Sequence, residues 1–138
     1  MSKLNLQKTE AIARDGTPVR LVYDEEADIL DIFFGDNGPA TGIELTDYML
    51  LRLNQTEKRA VSLMFRHFSV LSEQTEYGPR SFPLNPLDSL PEDLRELVLQ
   101  LITSLPVNQF LKLSQVQTSP VEQTAVAFVE SQPIVAFV

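Results

Sequence analysis

Residues 20–34 read Arg20-Leu21-Val22-Tyr23-Asp24-Glu25-Glu26-Ala27-Asp28-Ile29-Leu30-Asp31-Ile32-Phe33-Phe34, two β-forming runs separated by a short acidic break. Leu21 and Tyr23 alternate with Val22 and Asp24, and alternation of this kind marks a half-buried strand. The pattern predicts a strand over residues 19–24, a turn at Glu25-Glu26-Ala27 and a second strand over residues 28–34. Gly35-Asp36-Asn37-Gly38-Pro39, a cluster of turn formers, closes it. A tight hairpin joins antiparallel neighbours, so the sheet is expected to be antiparallel.

Further along, Tyr48 to Asn54 reads as a third strand, Gln55 to Lys58 as a polar turn and Arg59 to Phe65 as a fourth strand. Four strands on short links predict an antiparallel meander. Leu30, Ile32 and Phe34 share one face of the second strand, and Val61, Leu63 and Phe65 share one face of the fourth, which gives a common core side. On the opposite side Ile29 and Phe33 flank Asp31, and Met64 sits with Ala60 and Ser62. That second face is apolar enough to need partial cover. Residues 66–74 carry a weaker, helix-like pattern.

A linker over residues 69–88 contains Pro79, Pro83 and Pro86. Ser89 and Glu92 then stand in the S-x-x-E relation of a capping box. Leu94, Leu97, Val98, Leu101, Ile102 and Leu105 recur at spacings of three and four until Pro106, which predicts one amphipathic helix over residues 89–105. The tail, residues 106–138, reads as β-like segments broken by Pro120 and Pro133. In it Val126-Ala-Phe-Val129 recurs as Val135-Ala-Phe-Val138. Exposed apolar strand edges are sticky. The tail is therefore expected to dock on its own sheet or on a second subunit, with Val126, Phe128, Val135 and Phe137 as the candidate self-association residues of a homodimer. The expected class is α+β: a meander of about four strands (20–68), one main helix and a β-like tail, in a single domain over 1–138.

The 138 residues and their 43% apolar content suit one core. No run approaches the ~18 consecutive apolar residues of a membrane span, and Met1 to Glu10 lacks the apolar centre of a secretory signal. With no cysteine there is neither a disulfide framework nor a thiolate nucleophile. A cytoplasmic protein is expected. The formal charge of −8 has the wrong sign for a phosphate backbone, so nucleic acid is not an expected partner. From Leu21 to Leu51 there is no Lys or Arg, while Asp24, Glu25, Glu26, Asp28, Asp31, Asp36, Glu44 and Asp47 are all acidic.

Asp24, Glu25, Glu26, Asp28 and Asp31 are the candidate partner-binding residues. Clustered carboxylates also suit hard cations, but the calcium-loop template fails for want of its central Gly and distal Glu, and no metal is expected. A solvated hairpin turn is the plainer account. His67, the only histidine, beside Arg66, is the one candidate for proton transfer, and no carboxylate partner for it is visible. There is no G-x-S-x-G elbow, phosphate-binding glycine loop or H-E-x-x-H pair, so neither catalytic residues nor a cofactor are assigned. Phe33, Met64, Phe128 and Phe137 read either as a ligand or partner surface or, more plainly, as tail aromatics covering the sheet's second face.

The run Tyr23-Asp24-x-x-Ala27-Asp28-x-Leu30-x-Ile32-x-Phe34 resembles the signature of a small bacterial family known as domain of unknown function 2283. Lys58-Arg59 followed by the apolar run to Phe65 is similar to its second half, where a Gly-Arg pair is usual; Lys58 departs from that. The resemblance covers residues 20–68. It implies a compact β-meander with a helix; the family has no established activity to carry over, and the occurrence of some members beside small putative toxin genes implies an antitoxin-like partner role. Three functions compete on the sequence: an interaction module for a small basic partner, a self-associating homodimer, and a ligand-binding domain or enzyme using His67.

Overall fold

The computed structural model describes residues 6–71, 74–75, 78–79, 81–119 and 122–129. The expected four-stranded meander is wrong in both count and order. The main sheet has six antiparallel strands: β1 (Leu6–Ile12), β2 (Pro18–Asp24), β3 (Ile29–Phe34), β4 (Thr41–Thr46), β5 (Met49–Asn54) and β6 (Arg59–Arg66), arranged β1-β2-β3-β6-β5-β4. The two unforeseen strands, β1 and β4, are the sheet's edges. Edge strands pair on one side only and tolerate polar residues, so β1, with Lys8, Thr9 and Glu10 at its centre, carries little apolar signal.

The order is palindromic, two three-stranded meanders meeting at β3 and β6. Ile32 faces Leu63 across that junction. The inner hairpins use one turn design. Asp24 Oδ1 accepts the Ala27 N–H at 3.1 Å, and Asn54 Oδ1 accepts the Glu57 N–H at 2.8 Å. Each turn then ends in a left-handed residue, Asp28 at φ 58° and Lys58 at φ 54°. Leu21, Asp24 and Asp28 thus correspond to Leu51, Asn54 and Lys58. The two halves are related by an approximate two-fold through the Ile32–Leu63 pair.

What places β4 beyond β5, and not beside β3, is the Gly35–Ala40 connection, which crosses the ends of β6 and β5. Arg59, the first residue of β6, donates to Phe34 O at 3.3 Å and Asp36 O at 2.9 Å while its Nε meets Glu57 at 2.6 Å. From β5, Arg52 reaches Asn37 Oδ1 at 3.5 Å and Ser62 Oγ at 3.3 Å. Gly35, at φ 68°, takes the sharp departure from β3 that a side chain would strain.

Alternation gives the sheet one core face, with Val19, Leu21, Leu30, Ile32, Phe34, Met49, Leu51, Leu53, Leu63 and Phe65 buried. Val61 departs from the expected face. A bulge pairs Ala60 with Leu53 and Ser62 with Arg52, leaving Val61 as the extra residue, so Ala60 joins the main core cluster while Val61 is fully buried outside it. The opposite face carries Val22, Ile29, Asp31, Phe33, Leu50 and Met64, all half-buried.

The core face is covered by α2 (Glu92–Ile102), which buries Val98 and Ile102 fully, each worth about 1.5–3 kcal/mol. This helix is shorter than the expected 89–105, and the capping box does not form. Ser89 lies inside a 3₁₀ turn, Asn85–Ser89, and donates to Pro86 O at 3.0 Å. The helix ends before Pro106 because the Thr103 and Ser104 hydroxyls bond back to Leu99 O and Gln100 O, and Leu105, past the end, is exposed. The weak pattern over 66–74 is one turn, α1 (Phe68–Leu71), followed by the bridge of β7 (Gln74–Thr75) with β8 (Gly78–Pro79).

The tail is more regular than expected. β10 (Leu111–Ser119) and β11 (Glu122–Val129) form a hairpin, and β9 (Ser81–Pro83), out of the presumed linker, pairs with β11 to make a second sheet. Phe110, Leu111 and Ala127 belong to the same buried cluster as the main sheet. Among the described residues no helix is long and apolar enough to cross a membrane.

Candidate functional site

The five carboxylates singled out from the sequence are not one cluster. Asp28 is an internal joint. Its Oδ1 accepts the Tyr23 phenol at 2.6 Å and the Ser69 N–H at 3.0 Å, its Oδ2 accepts Ser69 Oγ at 2.6 Å, and its carbonyl accepts the Phe68 N–H. The β2–β3 turn is thereby tied to the start of α1. Burial pushes the Asp28 carboxyl up, but the bonds from Ser69 and Tyr23 outweigh it and hold the carboxyl below its ordinary value. The same Tyr23–Asp28 bond, aided by burial and by the neighbouring carboxylates, pushes the Tyr23 phenol up to about 12.

Asp24 is occupied by the turn. Glu25 receives the Gln7 amide at 3.3 Å, and Glu25 and Glu26 are both exposed. Asp31 is elsewhere: it lies on the second face, paired in register between Val22 and Met64. Burial raises its carboxyl above the ordinary value, with Arg52 pulling the other way. A carboxyl whose folded pKa is raised penalises the fold while it is charged; the penalty is in force above the folded pKa and absent below the unfolded one. Asp31→Asn is therefore expected to raise the melting temperature at pH 7 by roughly 1–3 °C, the size of a partly screened charge, and to change little near pH 3. Calorimetry at the two pH values checks this, and a fall at pH 7 would show that Asp31 has a favourable partner.

The antiparallel order brings three segments to one rim of the sheet: the 25–28 turn, residues 67–71 after β6, and the β4–β5 turn at Asp47 and Tyr48. Three strand spacings of about 4.8 Å separate the two turns, roughly 14 Å. His67 stands between them at φ 55°. Its neighbours hold it there, because the Arg66 N–H donates to Tyr48 O and the Phe68 N–H to Asp28 O. The exposed imidazole meets the Tyr48 ring edge-on at 5.6 Å, and Tyr48 meets Phe82 edge-on at 5.5 Å. Two surface cavities flank this aromatic row, about 310 Å³ beside His67, Val70 and Leu71 and about 370 Å³ beside Asp47, Pro83 and Pro86.

Chemically the rim offers carboxylates, an aromatic row and one imidazole. No described carboxylate hydrogen-bonds to His67; Asp28 is the carboxylate that feels its charge, which adds to the bonds from Ser69 and Tyr23 in lowering that carboxyl. Among the described residues no group of three or more metal-ligating side chains is gathered. Of the self-association candidates, Val126 and Phe128 lie on β11, opposite Pro83 and Ser81 of β9, and Val135 and Phe137 lie outside the described residues. The cover of the second face by Phe128 and Phe137 lies outside them too. Sequence reasoning missed the Tyr48–Phe82 row, whose members are far apart in the chain; the one available signal was an aromatic in a two-residue turn. Searches of family models, of curated proteins and of solved structures return no match to this chain.

Proposed function

We propose that this chain is a non-enzymatic, cytoplasmic protein-interaction module whose acidic rim binds a small basic partner, in the manner of an antitoxin. The observation that carries the reading is that, among the described residues, Glu25, Glu26 and Asp47 have no ion-pair partner. Among the described residues the one ion pair is Glu57–Arg59, at the other end of the sheet. Glu25, Glu26 and Asp47 are exposed on the rim, where the described strands and turns bring one half-buried arginine, Arg66. Uncompensated charge of one sign speeds encounter with an oppositely charged partner and makes binding salt-sensitive. The resemblance of residues 20–68 to domain of unknown function 2283 accords with this reading, since it implies a partner role.

The test is affinity capture from a bacterial lysate at 50 mM and 500 mM salt, followed by titration of the captured protein against the wild type and Glu25→Lys/Glu26→Lys. The reading expects a small basic protein retained at low salt, and at least tenfold weaker binding to the double variant. Unchanged affinity after the charge reversal would remove the rim from the interface.

A further inference from the structure

We infer that the Tyr48–Phe82 row is an anchor site on that rim for an extended, basic and apolar segment of the partner; this rests on the function proposed above. Single exposed apolar side chains are ordinary, whereas adjoining ones mark interaction sites, and five large ones are exposed among the described residues. Two of the five, Tyr48 at 37% and Val70 at 43%, border this one row. The Tyr48 and Phe82 rings meet edge-to-face, so ring surface remains to receive an aliphatic side chain. Pro83 and Pro86 make one wall rigid. Rigid, partly exposed aromatics give much contact area for little lost rotamer entropy, the property of interface anchors.

Charge selects the occupant. The described residues lining the two cavities include no Lys or Arg, and the one carboxylate among them is Asp47. Glu25 and Glu26 wait at the other end of the rim, roughly 14 Å away by strand spacing. An extended chain advances about 3.3 Å per residue, so basic side chains about four positions apart reach both ends together. The segment therefore carries Lys or Arg at i and i+4, with an aliphatic residue two positions past the second, on the same side of the extended chain, seated against Tyr48 and Val70.

The probe is a fluorescein-labelled ten-residue peptide with Lys at positions 3 and 7, Leu at position 9 and Ser or Gly elsewhere, followed by anisotropy with the full chain. Binding is expected to weaken at least tenfold for Tyr48→Ala and for Val70→Ser, a charge-neutral substitution at an exposed site. It is expected to weaken at least fivefold when Leu is replaced by Ser or the lysines are moved to a spacing of two. Asp47→Asn should weaken binding at 50 mM salt and matter little at 500 mM. Retention within twofold by both Tyr48→Ala and Val70→Ser, or indifference to the Leu, overturns the anchor. If the peptide does not bind at all the anchor also falls, whereas the proposed function falls only if the captured partner ignores the Glu25/Glu26 reversal.

Discussion

Phe110→Ala is expected to destabilise the protein by about 3–5 kcal/mol, the range for removing a fully buried phenylalanine. Phe110 has no solvent exposure, and its ring lies 6.0 Å from that of Phe34 at 50°. It stands where three layers meet. The 3₁₀ turn Val107–Gln109 precedes it, its N–H donates to Val107 O at 2.9 Å, and β10 begins at the next residue. Truncation would leave a cavity between β3 and the second sheet, and two rigid sheets have little freedom to collapse into it. Urea denaturation should show a lower midpoint at unchanged slope. A loss below about 1 kcal/mol would mean that the second sheet does not rest on this joint.

Asp28→Ala is the second large effect, about 2–4 kcal/mol. Three hydrogen bonds to a charged acceptor are lost, and alanine must adopt φ 58°, at a cost of about 1–2 kcal/mol. Partial exposure keeps the total below the sum of its parts. Asp28→Asn tolerates the left-handed backbone and should lose about half as much. The folded-state pKa of Asp28 is below its unfolded one, so its stabilisation is in force above the ordinary carboxyl value of 3.8 and disappears as the pH falls through the lower, folded value. Denaturation midpoints of wild type and Asp28→Asn should therefore converge in strong acid. In the same variant the Tyr23 phenol should titrate closer to its ordinary 10.0 than to 12, by ultraviolet absorbance. Curves that stay parallel at every pH would show that the Asp28 charge does not hold the turn.

The Tyr23-Asp24-x-x-Ala27-Asp28 pattern shows how far the site could be read in advance. Its carboxylates stand out in the sequence, yet their work is visible only in the fold: Asp24 closes the turn, Asp28 anchors α1, and Asp31, three residues on, faces the opposite side of the sheet. A cluster in sequence need not be a cluster in space, because side chains alternate across a strand. Strand β4 is a different case. Ile43 and Leu45 alternate with Gly42 and Glu44, so a signal existed, overshadowed by the glycine, proline and aspartate around it.

Local chemistry alone determined the two inner hairpins, their Asx-closed turns, the apolar stripe of α2 and the charge imbalance. These depend on neighbours a few residues apart, whose propensities and periodicity are written in order along the chain. Tertiary structure decided the rest. Whether β3 pairs with β4 or with β6 depends on where Arg59 and Arg52 hold the crossing connection. Whether β1 is a strand at all depends on the free edge of β2. The Tyr48–Phe82 row exists only because the sheet order carries residues from distant segments to one rim. Such contacts draw their energy from burial and pairing between remote parts of the chain, which a single sequence does not display as a local pattern.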